Sequence, residues 1–428
     1  MGNLLLKNGD VLLPDGSVQH LDLVIEKGKI LALGTAPAGW QGEELDCSGK
    51  LAIPGFVNTH THAAMTLFRS YADDMLLMDW LKKKIWPAEA NLTGDDVYWG
   101  TLLAIAEMLK AGTTAFADMY FFMDDVARAV AETGMRASLA RGMAGVAPNG
   151  EQALTESESF YNQFHGAADG RITVMLGPHA PYTCPPDYLR KVTALSEKLG
   201  AKIHIHLSET AGEVADCLKE HGKTPIALME EVGLLERGVL AAHCVHVTAA
   251  DIELMAKRQV RVAHNPGSNL KLASGIAPVA DMLEAGLCVG LGTDGASSNN
   301  NLDMLEEVRL AALLQKTIRQ DPLLLPAKTA LALGCENGAR CLGLSLTGQI
   351  AAGWRADITL LDMSEPHWQP RHDCLSLLVY AAQSRDVDTV LVDGRVLLRN
   401  RKLVTIDEER LRHEVHKRAM RLVGRRLD

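Results

Sequence analysis

The sequence predicts an α/β protein: a (β/α)8 TIM-type barrel carrying a small discontinuous β-sandwich domain built from both chain ends. Three observations lead there. Short apolar runs recur through the centre, separated by longer segments with helical periodicity. Both ends of the chain instead show short strands broken by glycine turns, and histidines and acids gather at the C-terminal ends of the central runs. On this reading residues 1–56 are the N-terminal part of the sandwich, residues 57–354 the barrel, and residues 355–428 the rest of the sandwich plus a terminal helix.

Taken in order, Asn3 to Leu13 with the following Pro14-Asp15-Gly16-Ser17 reads as two short strands joined by turns, and Asp22 to Gly34 repeats the pattern around a glycine. The first barrel strand lies in Ile53-Pro54-Gly55-Phe56-Val57-Asn58-Thr59-His60-Thr61-His62, where residues two apart share one face. Thr114–Ala117, Arg136–Ala140, Ile172–Leu176, Lys202–His206, Val239–His243, Val260–His264 and Cys288–Gly292 bring the count to eight. Among the intervening helices, Asp95 to Lys110 carries Val97, Leu102, Ile105 and Leu109 at helical spacing, and Pro186 to Leu199 carries Leu189, Val192, Leu195 and Leu199. The β texture returns in Arg355–Leu361 and Asp388–Leu397. The basic run Arg421 to Arg426 reads as the solvated end of the terminal helix.

Composition narrows the function classes. The chain has 428 residues, 47% hydrophobic and 22% charged, which suits a folded protein with a sizeable core. Its net charge of -10 argues against a nucleic-acid binder, because phosphate binding draws on clustered Lys and Arg. The eight cysteines form no Cys-x-x-Cys pair and read as free thiols of a reducing compartment. With no leader pattern and no apolar run near the ~20 residues of a membrane span, the expected location is the cytoplasm, away from membranes.

In a β/α barrel the C-terminal strand ends converge on one mouth, where active sites are built. His60, His62, His179, His206, His243, His264 and Asp294 all fall at or just past such ends. A catalytic zinc takes a few nitrogen or oxygen ligands and keeps one position open. His60, His62, His206 and Asp294 meet that description, and histidine with carboxylate accepts either Zn2+ or Fe2+. Glu209, three residues after His206, can curl back over the metal as a proton shuttle without ligating it. His243 can polarise the attacking water and its target. His246 is read as packing or support, and His264 as organising the loop His264-Asn265-Pro266-Gly267-Ser268-Asn269.

Pro54-Gly55-Phe56-Val57-Asn58-Thr59-His60-Thr61-His62, His206-Leu207-Ser208-Glu209-Thr210, the histidine ending the sixth strand, and Gly292-Thr293-Asp294-Gly295-Ala296-Ser297-Ser298-Asn299-Asn300 together resemble the amidohydrolase superfamily. Within it they resemble the methylthioadenosine/S-adenosylhomocysteine deaminase branch, beside the chlorotriazine hydrolases and guanine deaminases. The resemblance spans nearly the whole chain, and the split sandwich and barrel are that family's architecture. It implies metal binding by His60, His62, His206 and Asp294, acid/base roles for Glu209, His243 and Asp294, and Glu209 and Asp294 also facing the substrate. Binuclear relatives commonly bridge their metals with a carboxylated lysine ending the fourth strand; Ile172 to Gly177 has none, so one divalent metal per chain is expected. For a purine nucleoside the resemblance further implies Glu89 as acceptor for ribose hydroxyls, with His179 and Arg141 as additional contacts. Some members place a second arginine about a dozen residues after the first, where paired guanidinium groups hold an amino-acid carboxylate. Here none follows Arg141 until Arg171, which favours methylthioadenosine or adenosine over S-adenosylhomocysteine. The alternatives are a guanine deaminase, a triazine aminohydrolase or chlorohydrolase, and a non-catalytic metal-binding protein; Glu209 and His243 speak against the last. A homodimer or higher homo-oligomer is the implied assembly.

Overall fold

A computed structural model describes residues 2–424. Eight parallel strands run β1 (Phe56–Thr61), β2 (Thr113–Tyr120), β3 (Arg136–Met143), β4 (Ile172–Pro178), β5 (Ile203–Leu207), β6 (Val239–His243), β7 (Arg261–His264) and β8 (Cys288–Leu291). They hydrogen-bond in sequence order, and β8 packs back beside β1, so the sheet all but closes. Alternation along each strand decides what fills the interior: Val57, Ala115, Ala117, Ala140, Leu240, Ala242 and Ala263 form an inner cluster. Mostly small residues there leave room for the imidazoles layered above them.

Helix boundaries follow local chemistry. The helix Gly94–Lys110 opens on a capping box in which Thr93 and Asp96 exchange side-chain and backbone hydrogen bonds. The helix Pro186–Leu199 begins with proline in its first turn and stops at Gly200, whose φ of 67° is left-handed. β2 runs to Tyr120, three residues beyond the end expected from Thr114–Ala117, because Asp118, Met119 and Tyr120 are buried and keep pairing with β3.

The two chain ends meet in one mixed sheet of nine strands. Ile358–Asp362 from the C-terminal end pairs antiparallel with Lys50–Pro54, which leads through Gly55 into β1. Leu6, Leu23, Ile25, Ile30, Ile358 and Leu391 belong to the apolar cluster of this unit, separate from the barrel's. Its first strand differs from expectation. Leu4–Leu12 is one continuous strand, and Asn8, at φ 59°, sits in a bulge where the register slips between Leu6 and Gly9. The terminal helix spans Glu408–Leu422, and Arg421 reaches the Asp96 carboxylate; Arg425 and Arg426 of the basic run lie outside the described residues. Among the described residues no helix is long and apolar enough to cross a membrane.

Candidate active site

The mouth of the barrel holds a cleft of about 890 Å³ including its open side, lined by His62, Glu89, His179, His206, Glu209, His243 and Asp294 among apolar neighbours. His60 lies fully buried at its floor. The arrangement of ring nitrogens tests whether these residues suit a cation. His62 Nδ1 is 2.7 Å from the Met119 carbonyl, and His206 Nδ1 is 2.7 Å from the His179 carbonyl, so both Nδ1 atoms must be protonated donors. Their Nε2 atoms, 3.2 Å apart, therefore present two lone pairs to each other, which is no hydrogen bond. His60 Nδ1 meets His204 Nε2 at 2.8 Å while its own Nε2 has no hydrogen-bond partner. Asp294 Oδ1 lies 3.3 Å from both His60 Nε2 and His62 Nε2. Lone pairs of three imidazoles and one carboxylate converge, and a divalent cation satisfies them together.

Protonation states agree. Burial pushes His60 down to about 4 and His206 well below the usual imidazole value, so both are neutral donors. Burial alone would raise Asp294, but the close approach of His60, with His62 and His243 beside it, holds the carboxyl well below the carboxylate range. Its other oxygen, Oδ2, accepts hydroxyl hydrogen bonds from Ser268 and Ser298, each 2.7 Å long.

Glu209 and His243 face each other across this centre, Oε2 to Nε2 at 3.9 Å. Burial raises the Glu209 carboxyl, with the His243 charge pulling the other way. Burial acts to lower His243, yet Glu209, Asp294 and the hydrogen bond to Asn269 outweigh it and leave the imidazole raised. The 2.8 Å contact from His243 Nδ1 to Asn269 Oδ1 fixes Nδ1 as donor and turns Nε2 toward Glu209.

Local backbone geometry aims these groups. Ser208, His243, Cys244 and Asp294, all just at or past the ends of β5, β6 and β8, have positive φ values of 54°, 71°, 47° and 60°. Non-glycine residues held there cost about 1–3 kcal/mol each and persist only where surrounding bonds over-determine them. Those bonds are present: Glu213 accepts the backbone N–H groups of Ser208 and Glu209, each at 2.8 Å, and Asp294 N–H reaches the His60 carbonyl at 2.9 Å. A Cβ on Gly292 would stand 2.8 Å from His60 N, so only glycine lets β8 approach β1 this closely.

Of the residues expected to hold the metal, move protons or bind substrate, the structure gathers all but Arg141. Glu89, on the short helix Trp86–Glu89, lines the cleft with its carboxyl pushed by burial up to about 7, against a hydrogen bond from Tyr120. His179 lines it too, its Nδ1 on Thr183 Oγ1 at 2.9 Å. Arg141 does not. Its Nε and Nη2 sit 2.9 and 2.6 Å from Glu156 Oε2, and the adjacent Gly142 and Met143 line the cleft instead. His246 bonds the Ser274 carbonyl at 2.6 Å, and His264 is fully buried with neither ring nitrogen hydrogen-bonded. Sequence reasoning assigned no role to Tyr120, Ser268, Asn269, Ser298 or Glu213. The serines and Asn269 lie inside the motifs noted above, whereas Tyr120 lies beyond the apolar run Thr114–Ala117 that marks β2 in the sequence.

A (β/α)8 barrel with this histidine and carboxylate centre at its mouth defines a metal-dependent hydrolase. The Amidohydrolase family pattern matches residues 51–397, and the chain belongs to that family. The 5-methylthioadenosine/S-adenosylhomocysteine deaminase of Desulforudis audaxviator (strain MP104C) is 55% identical over 425 residues, covering 98% of this chain and 99% of the relative. The protein of the same name from Pelotomaculum thermopropionicum (strain DSM 13744 / JCM 10971 / SI) is 52% identical, over 99% of this chain and 100% of the relative. A crystal structure of an adenosine deaminase from Xanthomonas campestris with bound zinc superposes with a TM-score of 0.93 at 35% identity, covering 98% of both chains.

Proposed function

We propose that this enzyme hydrolyses the C6 amine of an adenine nucleoside to ammonia and the 6-oxo product, acting on 5'-methylthioadenosine or adenosine ahead of S-adenosylhomocysteine. The observation that carries this reading is the pairing of Glu209 and His243 over the converging lone pairs of His60, His62, His206 and Asp294. The names of the relatives and the zinc of the Xanthomonas structure support it. Zn2+ is the proposed metal, with Fe2+ the alternative for the same ligands. When bound, a divalent metal supplies water that ionises near neutral pH.

The residues of the chain do the remaining work. Glu209 takes a proton from the attacking water and delivers it to ring N1, which makes C6 more electrophilic. His243, its Nε2 directed inward, orients the nucleophile and stabilises the charge that develops on its oxygen. Attack forms the C6–O bond and a tetrahedral carbon bearing hydroxyl and amine. Asp294 then passes the remaining hydroxyl proton to the amine, the C6–N bond breaks, ammonia leaves, and the ring retains the proton on N1. Glu89 and His179 hold the nucleoside beneath an apolar roof that includes Leu77, Trp80, Leu81 and Ile85 and suits adenine or a thioether. Arg141 is already paired with Glu156, which ranks a carboxylate-bearing tail last. The test is ammonia release from adenosine, methylthioadenosine, S-adenosylhomocysteine and guanine, with chelator and then with zinc restored. Methylthioadenosine and adenosine should react, chelator should abolish turnover, and zinc should restore it; ammonia from guanine alone would overturn the proposal.

A further inference from the structure

Tyr120 is the last residue of β2 and sits in the cleft wall, only 4% exposed. Its hydroxyl donates to Glu89 Oε1 at 2.6 Å, a short O–H···O hydrogen bond. The two residues come from different elements: Tyr120 from the rigid barrel rim, Glu89 from the last turn of the contiguous helical segment Leu77–Trp80, Leu81–Ile85 and Trp86–Glu89, whose middle turn is π-helical. Glu89 makes no other side-chain hydrogen bond among the described residues. The phenol thus ties the barrel rim to a carboxylate at the end of that helical segment.

We propose that Tyr120 is a specificity-determining residue: by holding one oxygen of Glu89 it leaves the other as a fixed acceptor for sugar hydroxyls, and so selects ribosides over deoxyribosides. This rests on the adenine-nucleoside reading above. A free glutamate side chain would have to be ordered by the substrate at each binding event, and its unpaired buried oxygen would compete for the same donors. With the phenol in place that ordering is done before the substrate arrives.

The experiment compares Tyr120→Phe, Glu89→Gln and the double variant, measuring KM and kcat for adenosine and 2',3'-dideoxyadenosine together with zinc content. Tyr120→Phe should keep its zinc and its kcat, raise KM for adenosine roughly tenfold, and leave KM for the dideoxy analogue unchanged. The double variant should be no weaker on adenosine than Glu89→Gln, since Tyr120 acts through Glu89. An equal rise in KM for both substrates, or independent losses that multiply in the double variant, would overturn the inference while leaving the deaminase reading intact. No ammonia from either nucleoside with the unaltered enzyme would overturn both.

Discussion

Glu209 shares no hydrogen bond or ion pair with His60, His62, His206 or Asp294, and this separates its role from theirs. Its backbone N–H is held by Glu213 and its carboxylate faces His243 at 3.9 Å. Glu209→Gln preserves shape, so zinc content should stay at the unaltered level while turnover falls by about 10²–10⁴, the usual worth of a positioned proton carrier. Metal analysis beside an ammonia assay checks this, and full activity in the variant would remove the shuttle role. The convergence of His60, His62, His206, His243 and Asp294 was legible in the sequence because each stands at or just past the C-terminal end of a barrel strand, and those ends meet at one mouth. Ser268, Ser298 and Asn269 were not, since their roles lie in contacts across the fold: Ser268 to Asp294 and Asn269 to His243, each spanning 26 positions. Serine and asparagine are also ordinary loop residues, so nothing in their type marks them.

At the level of elements, the helix Met304–Arg319 reaches into the site through one buried acid. Glu307 is fully enclosed and accepts from Gly267 N at 2.9 Å and from Asn299 Nδ2 at 2.7 Å. It thereby ties together the short helix Pro266–Lys271, which carries Ser268 and Asn269 where a loop was expected, and the loop carrying Ser298. Burial pushes its carboxyl from an ordinary 4.5 up to about 8. Between those values the folded chain holds a proton that the unfolded chain has released. The group therefore lowers stability progressively as pH rises from about 4.5 to about 8, by up to ~1.4 kcal/mol per pH unit. Glu307→Gln cannot ionise and lacks that slope. Urea unfolding of both proteins with chelator present, from acidic to mildly alkaline pH, should show the difference in stability moving in favour of Gln; parallel curves would refute it. Such ties are invisible in sequence, but the elements they join were not. Helix Pro186–Leu199 was readable to the residue from its proline and Gly200. β2 was cut short because Asp118 and Tyr120 interrupt its apolar run, and the Asn8 bulge mimicked a turn because Asn-Gly more often makes one.

Over the whole molecule the question is how a sheet drawn from both chain ends is locked to the barrel. Matching β texture at the two ends made the split module readable, yet the lock could not be read, because its members stand far apart in sequence. Arg136 opens β3 at the end of the barrel opposite the mouth and is 1% exposed. Its Nε lies 3.0 Å from Asp357 Oδ2 and its Nη2 2.8 Å from Asp393 Oδ1, both aspartates belonging to the terminal module. Asp357 also accepts the Asp393 backbone N–H at 2.7 Å, and Arg355 approaches Asp393 at 2.7 Å. Burial alone would lower the guanidinium, but the two carboxylates reverse this and raise it. Replacing the whole cluster with apolar residues could be neutral, whereas removing only the arginine leaves two enclosed acids without their shared partner. Arg136→Met should therefore lose about 3–5 kcal/mol. The folded variant should keep its KM and kcat, since the cluster lies across the barrel from the cleft. Urea midpoints at neutral pH, read beside ammonia release, test both parts. A midpoint unchanged at neutral pH would mean that the apolar contacts of the two modules hold them together without this cluster.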